Sequence, residues 1–403
     1  MNLLMVTAGL PRQVGGANTR NFHLLKALSS TYRVSLLVLA SEAETQESEA
    51  LFSLNEFACS IQLIPYELPD RFKRLIQLLQ AVRGRSYFLN LFIIAEMQHT
   101  LDTLCAHNHF DIVLFESVLV AGYQLPQGVK TVIDQHNIEH ELVERTYKHE
   151  KASMRKWYSW CESRLLKQGE IERCRKADVV LVTSERERDV LRQFLPEKQI
   201  EVIPNGVDTA TFVQRDPARE IPYRILFTGS MDYFPNIDAV LFFARKCWPL
   251  IQEQVPDATW QIVGRNPPAE IKRLAALAGI TVTGTVPEVH PYLAASAVAI
   301  APLHVGSGTR LKILEAFAMR KAVVSTSVGC EGLSVLPGKQ LLVADHPEEF
   351  AQSVITLLNN PEMRTALGNA GRALVETKYS WEHCGALLLR VLETHILKEE
   401  QVC

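Results

Sequence analysis

The chain has 403 residues, of which 47% are hydrophobic and 22% are charged, and its formal net charge is −3. A chain of this length is too long for a single hydrophobic core of ordinary size and suits two α/β domains. The composition is that of a globular protein that folds. The slightly negative charge argues against electrostatic binding to nucleic acid, so we expect no nucleic-acid partner and only a local anion site. Its eight cysteines form no CxxC pair and no Cys/His cluster with metal-ligand spacing. We therefore predict no metal site and free thiols in a reducing compartment.

The N-terminal residues predict a core strand followed by a substrate-binding loop. The first ten residues, MNLLMVTAGL, have no basic start and no small-residue cleavage site, which argues against a signal peptide. No apolar run reaches the length of a membrane span, so we expect a cytoplasmic protein. In the glycine loop that follows, Gly15 and Gly16 would let a substrate approach the backbone at a helix N-terminus. Arg20, on that helix, would either hold a phosphate or face solvent, and the pattern favours neither.

A basic amphipathic segment lies at residues 70–85. Its helical spacing places Phe72, Leu75, Ile76 and Leu79 on one face, with five Arg and Lys residues beside them. One interpretation, which amphipathicity favours, is a surface helix packed on the core. The other is a basic face that rests on an anionic membrane surface, which would place the protein at the inner face of the membrane.

Short apolar runs alternate with helical patterns through the first half of the chain, which predicts parallel strands buried on both faces. One of these strands, KTVID, leads into a loop that contains His136 and Asn137. A histidine at the carboxyl end of such a strand is placed to contact substrate as a hydrogen-bond donor or as a base, whereas a lone histidine is more often structural. Asp134 and Glu139 make the loop polar, but they form no triad with His136.

A second block of strands and helices follows the polar connector at 208–222. Each of its strands ends in a polar or glycine-containing loop, and doubly wound sheets bind ligands beyond the carboxyl ends of their strands. The pattern predicts two Rossmann-like α/β domains, at residues 1–207 and 208–380. The last segment, 381–403, predicts a helix long enough to cross back over the first domain.

The loop HVGSGTRLKILEAFA at 304–318 leads into a helix whose first turn carries Arg310 and Lys312. Cations at a helix N-terminus oppose the macrodipole by a few tenths of a kcal/mol each, unless an anion compensates them. The glycines before them expose backbone N–H groups, so the stretch predicts a phosphate or diphosphate site. Glu315, one turn later, would accept hydrogen bonds from a ribose diol. The alternative is a pair of solvated cations and an ordinary surface glutamate.

Several stretches of the second half resemble glycosyltransferase family 4, whose members are retaining enzymes of the GT-B fold. The N-terminal GLPRQVGG and DQHN and the C-terminal YSWE are in keeping with that family. The stretches that carry the resemblance are IEVIPNGVD at 200–208, LFTGSMDYFPNIDA at 226–239, WQIVGRNP at 260–267 and the segment 282–333. The resemblance is close in the second half and loose in the first, as expected if the first domain handles a variable acceptor.

The resemblance implies that a nucleoside-diphosphate sugar binds in an interdomain cleft, mainly on the second domain. Glu315 would hold the ribose, the amides around Gly308 and Thr309 would contact the sugar or the distal phosphate, and Gly16 would approach the donor phosphates. His136 would lie beside the sugar.

The loops at Arg265 and Val286 would lie near the nucleobase. Such enzymes stabilise the leaving diphosphate and show no certain protein nucleophile, which agrees with the lack of a paired-carboxylate pattern.

Two departures from the family pattern concern the donor site. Many members have a glutamate separated by seven positions from the one that matches Glu315, and Ser307 stands there instead. Many also clamp the diphosphate with an Arg and a Lys after the first strand of this domain, where this chain has Ser230, Met231 and Asn236 instead. Gly229, Ser230 and Asn236 are the candidate donor contacts of this loop. We hypothesise that Arg310 and Lys312 resupply the missing charge, so that no metal is needed.

The sequence thus predicts a retaining glycosyltransferase that needs no cofactor and moves a sugar from a nucleoside-diphosphate sugar to a glycan or lipid-linked acceptor. Bacterial envelope or exopolysaccharide synthesis fits this acceptor class. His136, Lys312 and Glu315 are the predicted catalytic residues, and Arg20 and Asn137 the acceptor-side residues. The alternatives are a catalytically silent relative that binds a nucleotide sugar or a partner enzyme, and, less favoured, an epimerase or phosphorylase of the same architecture.

Overall fold

The chain folds into two α/β units. The computed structural model describes residues 1–13, 17–67, 73–148, 154–213, 220–306 and 310–397. The first unit consists of Met1–Pro204 together with Cys384–Cys403, and the second of Asn205–His383. Each unit is built on one parallel sheet, which confirms the predicted fold class of two Rossmann-like domains.

The first unit contains a seven-stranded parallel sheet with the order β3-β2-β1-β4-β5-β6-β7. Its strands are β1 (Asn2–Ala8), β2 (Arg33–Ala40), β3 (Ser60–Pro65), β4 (Ile112–Glu116), β5 (Lys130–Gln135), β6 (Val179–Val182) and β7 (Ile200–Val202). The central strands are mostly apolar because helices cover both faces of the sheet, and β4 and β5 end in polar residues. The strand order reverses between β1 and β4, so the carboxyl ends of these strands flank the place where doubly wound sheets bind ligands.

Helices connect the strands of the first unit. They are α1 (Ala17–Ser29), α2 (Glu42–Thr45), α3 (Ser48–Leu54), α4 (Lys73–Val82), α5 (Tyr87–Leu91), α6 (Ala95–His107), α7 (Glu139–Lys148), α8 (Met154–Lys176) and α9 (Glu185–Arg192). The predicted amphipathic helix corresponds to α4, although residues 70–72 lie outside the described part of the chain. Among the described residues, no helix combines the length and apolar content that a membrane span needs.

The second unit contains a six-stranded parallel sheet with the order β10-β9-β8-β11-β12-β13. Its strands are β8 (Arg224–Thr228), β9 (Thr259–Val263), β10 (Ile280–Gly284), β11 (Val298–Ala301), β12 (Ala322–Ser325) and β13 (Leu342–Val343). The order reverses between β8 and β11. The loops after β8 and β11, in which the sequence predicts donor contacts, therefore leave the sheet at its switch point.

Helices also cover the sheet of the second unit. They are α10 (Phe234–Phe242), α11 (Trp248–Gln254), α12 (Ala269–Lys272), α13 (His290–Ala294), α14 (Leu311–Ala318), α15 (Pro347–Asn359) and α16 (Pro361–Leu374), and the chain then continues into α17 (Trp381–Leu392). Helix α10 runs into α11 through a π turn at Phe243–Cys247. On one face of the sheet, Phe243 packs edge-to-face against both Trp260 and Phe350 to form an aromatic core.

Helix α17 begins in the second unit, and its residues from Cys384 onward belong to the first. Within the first unit it packs against α1, where a Cβ on Gly385 would lie 2.6 Å from the Cβ of Ala27. Glycine at this position allows the two helices to approach closely. The predicted domain boundaries fall after residues 207 and 380, whereas the compact units divide after residues 204 and 383.

Candidate functional site

The loops that follow β8 and β9 pack backbone against backbone at the carboxyl edge of the second sheet. A Cβ on Gly264 would lie 1.7 Å from the carbonyl oxygen of Gly229, so glycine is required at position 264. The Gly229 N–H donates to Val263 O at 3.0 Å, and the Met231 N–H donates to Arg265 O at 2.9 Å. These contacts fix the floor of the candidate donor site.

Asn236 and Lys312 meet at the end of β8. Asn236 is buried in the first turn of α10. Its Nδ2 donates to Ser230 O at 2.8 Å, and its Oδ1 accepts a hydrogen bond of 2.8 Å from Lys312 Nζ. The same Nζ lies 3.9 Å from the centre of the Phe227 ring, and a Cβ on Gly229 would be 2.9 Å from it. The ammonium of Lys312 is therefore held at the end of β8, between the Asn236 amide and the Phe227 ring.

The start of α14 combines two cations with an uncapped helix end. Arg310 is its N-cap residue, no side chain caps the helix, and its first turn contains no acidic residue. The buried guanidinium of Arg310 lies next to Gly306, where a Cβ would be 2.9 Å from Nη2. Both cations add to the positive end of the helix dipole, which makes this the strongest anion-attracting position that we identify in the described part of the second unit.

The pKa values at α14 reflect this crowding. Lys312 and Glu315 keep some solvent contact, but the surrounding protein removes most of the hydration of their charged atoms. Burial, with a further contribution from Arg310, lowers the pKa of Lys312 to about 7. Burial likewise raises the pKa of Glu315 to about 7, against the opposing charge of Lys312. A bound anion would favour the charged form of Lys312.

A polar cluster links the loops after β8 and β9. The Ser230 hydroxyl donates to Asp232 and accepts a hydrogen bond of 2.8 Å from Arg265 Nε. Asn266 adopts a left-handed conformation, with φ of 54°, and its Nδ2 donates to Asp232 Oδ2 at 3.2 Å. Arg265 thus reaches over the end of β8 while most of its side chain stays exposed to solvent.

The structure brings Gly229, Ser230, Asn236, Arg265 and Lys312 together by direct contact or close approach, and Glu315 joins them through its charge interaction with Lys312. Val286 follows the end of β10 at the same edge of the sheet and packs on the core. Five predicted residues lie outside the described part of the chain, namely Gly15, Gly16, Ser307, Gly308 and Thr309.

A buried charge cluster lies at the carboxyl edge of the first sheet. Arg20 is 1% exposed, and its guanidinium grips Asp134 with two hydrogen bonds, each of 2.6 Å. A third donor of Arg20 reaches the carbonyl of Pro204 at 3.1 Å. Arg20 was predicted to hold a phosphate or to face solvent. The structure instead makes it the partner of Asp134, because both lie at the switch point where α1 passes the end of β5.

His136 lies between two carboxylates of this cluster. Its Nε2 is 3.0 Å from Glu116 Oε2 and 3.2 Å from Asp134 Oδ2. Burial alone would lower the pKa of His136, but the hydrogen bonds and charges of Asp134 and Glu116 outweigh it and raise this pKa to about 9. The imidazole is therefore protonated at neutral pH, which favours the hydrogen-bond donor over the base among the two predicted roles.

The two carboxylates differ in their ionisation. Burial and the charge of Asp134 raise the pKa of Glu116 to about 7, although His136 opposes this. For Asp134 burial acts in the same direction, but Arg20 and His136 outweigh it and hold its pKa well below the usual range. Glu116, Asp134 and His136 also form the one group of metal-ligand atoms found among the described residues. Arg20 places a cation on both oxygens of Asp134, which disfavours a metal ion there.

The rest of the His136 loop is tied to helix α8. Glu170 is fully buried and accepts the backbone N–H groups of Glu139 and His140 at 3.0 and 3.1 Å, together with His140 Nδ1 at 2.6 Å. It therefore caps the N-terminus of α7. Asn137, a predicted acceptor contact, has a side-chain hydrogen bond to Glu139. The loop is thus built around fixed polar contacts.

Comparisons with known proteins agree with this architecture. The family model Glycosyltransferase Family 4 matches residues 14–211, and the model Glycosyl transferases group 1 matches residues 222–360. Sucrose-phosphate synthase from Thermosynechococcus elongatus aligns over 98% of this chain and 99% of its own, with a TM-score of 0.69 and 17% identity. HepE of Anabaena, solved with UDP-glucose, aligns over 97% and 99%, with a TM-score of 0.66 and 13% identity. The chain belongs to the GT4-like glycosyltransferases and has the GT-B fold.

Curated relatives match only in part. A 44.6 kDa protein in the cps region of Klebsiella pneumoniae is 26% identical over 144 residues, which are 34% of this chain and 37% of that protein. A GDP-mannose-dependent monoacylated alpha-(1-6)-phosphatidylinositol monomannoside mannosyltransferase of Corynebacterium glutamicum is 34% identical over 88 residues, which are 22% and 23% of the two chains. The chain thus spans about a quarter to a third of the length of these relatives.

Proposed function

We propose that this protein is a retaining glycosyltransferase that transfers a sugar from a nucleoside-diphosphate sugar to a hydroxyl group of a glycan or lipid-linked acceptor. The observation that carries the proposal is the position of Lys312 Nζ, 2.8 Å from Asn236 Oδ1 at the end of β8, next to Arg310 and the N-terminus of α14. This arrangement suits a diphosphate, because two cations and a helix end attract the same anion.

The donor diphosphate would be bound by Lys312 and Arg310, and the ribose by Glu315. In the transition state, negative charge develops on the leaving diphosphate, and preorganised cations stabilise it without reorganising. No metal ion and no cofactor are required in this proposal, since the protein itself provides the positive charge.

The synthesis of envelope or exopolysaccharide glycans is the biological context that the relatives favour. One relative comes from the cps region of its organism, and another uses GDP-mannose on a phosphatidylinositol mannoside. These facts concern the relatives, and they support the proposed acceptor class here without fixing the sugar.

A thermal-shift series tests donor binding first. UDP, GDP, ADP and their sugars are added to the full-length chain, and the nucleotide that the site prefers raises Tm by mass action. Transfer to a candidate acceptor is then followed by NMR of the anomeric proton, in which retention of the donor configuration is expected. Transfer that survives EDTA supports metal independence. A chain that binds none of these nucleotides contradicts the proposal.

A catalytically silent relative is the alternative. The departures at Ser307 and after β8 motivate it, whereas the Lys312–Asn236 contact in the donor site argues for turnover. An active enzyme should release nucleoside diphosphate slowly from the donor even without an acceptor, whereas a silent relative should not. Tight donor binding with no such release supports the silent protein.

Association with the inner face of the membrane is part of the proposal. The first unit exposes an apolar–basic surface, whose apolar members are Leu78, Leu79, Val82, Phe88, Trp157 and Trp160. Val82 is 79% and Trp157 is 66% exposed, and the exposed Arg83, Arg85 and Arg164 provide positive charge.

Glu162 of α8 joins the two parts of this surface. It accepts hydrogen bonds from Ser86 Oγ and from the Phe88 N–H, at 2.5 and 3.1 Å. Helix α8, which carries the two tryptophans, is therefore fixed next to the segment that follows α4. Exposed tryptophans beside arginines are suited to the interface of an anionic bilayer.

Sedimentation with phosphatidylglycerol vesicles tests the membrane proposal. Binding is expected for the full-length chain, and Trp157→Ala with Trp160→Ala should reduce it by about thirtyfold or more, because each buried indole contributes on the order of 1–2 kcal/mol. Phe52→Ala removes an equally exposed apolar side chain elsewhere on the unit and is the matched control. Equal binding of all variants, or none by the parent chain, contradicts this part of the proposal.

A further inference from the structure

In the cluster at the carboxyl edge of the first sheet, Arg20 donates hydrogen bonds to Asp134 and acts on Glu116 through its charge. Both carboxylate oxygens of Asp134 accept hydrogen bonds from Arg20, which compensates the negative charge of Asp134. Glu116, at the end of β4, is 2% exposed, and its Oε2 lies against His136. The charge of Glu116 is therefore balanced chiefly by the imidazolium.

The contacts of His136 determine which ring nitrogen is occupied. One oxygen of Glu116 and one of Asp134 lie close to Nε2, and the ionised carboxylate of Asp134 can only accept a hydrogen bond, so Nε2 carries a proton. The other nitrogen, Nδ1, makes none of these contacts. A ring fixed through Nε2 thus has Nδ1 available for a substrate.

The backbone after Glu116 is held in an unusual conformation. Ser117 has φ of 114°, a region that residues other than glycine rarely adopt. Its Oγ accepts the Leu119 N–H at 3.1 Å, and the Val118 N–H donates to Gln135 Oε1 at 3.2 Å. These contacts fix the turn that aims the Glu116 side chain at His136.

We propose that Glu116 is a positioning residue for His136: together with Asp134 it holds the ring through Nε2, so that Nδ1–H is presented to the substrate as a hydrogen-bond donor. The inference rests on the proposed function, because it specifies how His136 contacts the sugar-bearing substrate. The ring then neither removes nor returns a proton during transfer.

The groups that set the charge of His136 come from several elements. Glu116 belongs to β4, Asp134 to β5 and Arg20 to α1, where Arg20 acts through Asp134. Glu139 of α7 also interacts with His136 through its charge. Of these, Glu116 can be neutralised without breaking the Arg20–Asp134 pair.

The test is an NMR titration of His136 in the full-length chain labelled with ¹⁵N-histidine. The His136 signals are assigned by their loss in His136→Gln. In the parent chain both ring nitrogens should stay protonated from pH 6 to 8. Glu116→Gln keeps a hydrogen-bond acceptor but removes the charge, and should move the titration down by about one pH unit or more. Glu116→Asp retains the charge and should restore part of the shift.

Turnover gives a second readout. With Glu116→Gln, a titration moved down by one pH unit leaves about half of His136 protonated at pH 8, so kcat should fall by at least about twofold there, recover at pH 6.5 as His136 is protonated, and leave the KM for the donor nearly unchanged. Glu201→Gln breaks a partly exposed Glu–His pair of the first unit, in which Glu201 Oε1 and His395 Nε2 are 3.3 Å apart, and is the matched control. It should change neither the titration nor the turnover.

The outcomes separate this inference from the proposed function. A His136 that is neutral between pH 6 and 8, or whose titration is the same in Glu116→Gln, overturns the positioning role even if the chain transfers sugar. The expected titration in a chain that shows no transferase activity supports the positioning of the ring and counts against the proposed function.

Discussion

The two sheets carry opposite kinds of charge arrangement at their carboxyl edges. In the first unit Arg20 is matched by Asp134, and His136 by Glu116, so the charges are compensated within the protein. In the second unit Lys312 donates a hydrogen bond to the neutral amide of Asn236, and the nearby positive charge of Arg310 repels it. A compensated cluster fixes side chains in place, whereas two neighbouring cations at a helix N-terminus attract an anion. We therefore expect the charge cluster of the first sheet to position side chains and the start of α14 in the second unit to bind the donor diphosphate.

The largest expected effect is on the stability of the first unit, through its buried charge cluster. Arg20→Ala leaves Asp134 buried without its partner, and breaking a buried ion pair in this way should lower the free energy of unfolding by about 3–5 kcal/mol. Chemical denaturation followed by circular dichroism measures it. Arg12→Ala, which removes a partly exposed pair with Glu44 and Glu47, should cost less than about 1 kcal/mol. Similar losses in the two variants would show that the Arg20 cluster is not specially stabilising.

The next effect concerns the pH dependence of nucleotide binding at the carboxyl edge of the second sheet. Because the pKa of Lys312 is lowered to about 7, the free protein loses this charge as the pH rises through 7, whereas a bound diphosphate retains it. Nucleoside-diphosphate affinity should therefore fall by up to about tenfold per pH unit between pH 7 and 8.5. Calorimetric titrations at several pH values measure this slope. Glu315 is ionised through most of this range, and a flat profile would argue against a role for Lys312.

A smaller effect is expected at the residue that orients Lys312. Asn236→Ala removes the acceptor of Nζ, and the affinity for a nucleoside diphosphate should fall by about 3- to 10-fold, as for the loss of a hydrogen bond to a charged group. Asn369→Ala, on an exposed part of α16, is the control and should bind like the parent chain. If Asn236→Ala binds equally well, the amide does not orient the ammonium.

The smallest effect is expected at Arg265. Its guanidinium is mostly exposed and contacts Ser230 and Asp232 at the surface, so water screens its charge. Arg265→Ala should weaken nucleotide binding by no more than about fivefold. Competition binding with UDP, GDP and ADP measures it, and a loss as large as that of the Lys312 variants would move the centre of the anion site to the loop after β9.

The sequence predicts the sheets well because their strands are continuous apolar runs bounded by turn residues, as in VVLV of β6 and VAIA of β11. It also indicates Lys312 as an anion contact, since a cation in the first turn of a helix is locally unfavourable. It does not reveal the Lys312–Asn236 contact, because these residues are 76 positions apart and their pairing depends on the order of the strands.

The pairings in the first unit were harder to predict. Arg20 lies in a helix whose pattern gives no sign of a buried cation, and its partner is 114 positions away. Glu116 was not identified as a functional candidate, although an acidic residue at the carboxyl end of an apolar strand near the switch point is a signal that could have found it. The contact of Glu116 with His136 depends on the turn at Ser117, and no local pattern indicates a positive φ at a serine.

The central claim is that the start of α14 binds the donor diphosphate. The most direct test is a calorimetric titration of the nucleotide preferred in the thermal-shift series against the parent chain, Lys312→Ala and Lys312→Met, of which the last keeps the aliphatic stem over Phe227. Lys272→Met, an exposed lysine of the same unit, is the control. We expect both Lys312 variants to bind at least about tenfold more weakly and the control to bind normally. Affinities of the Lys312 variants within about twofold of the parent chain would contradict the account.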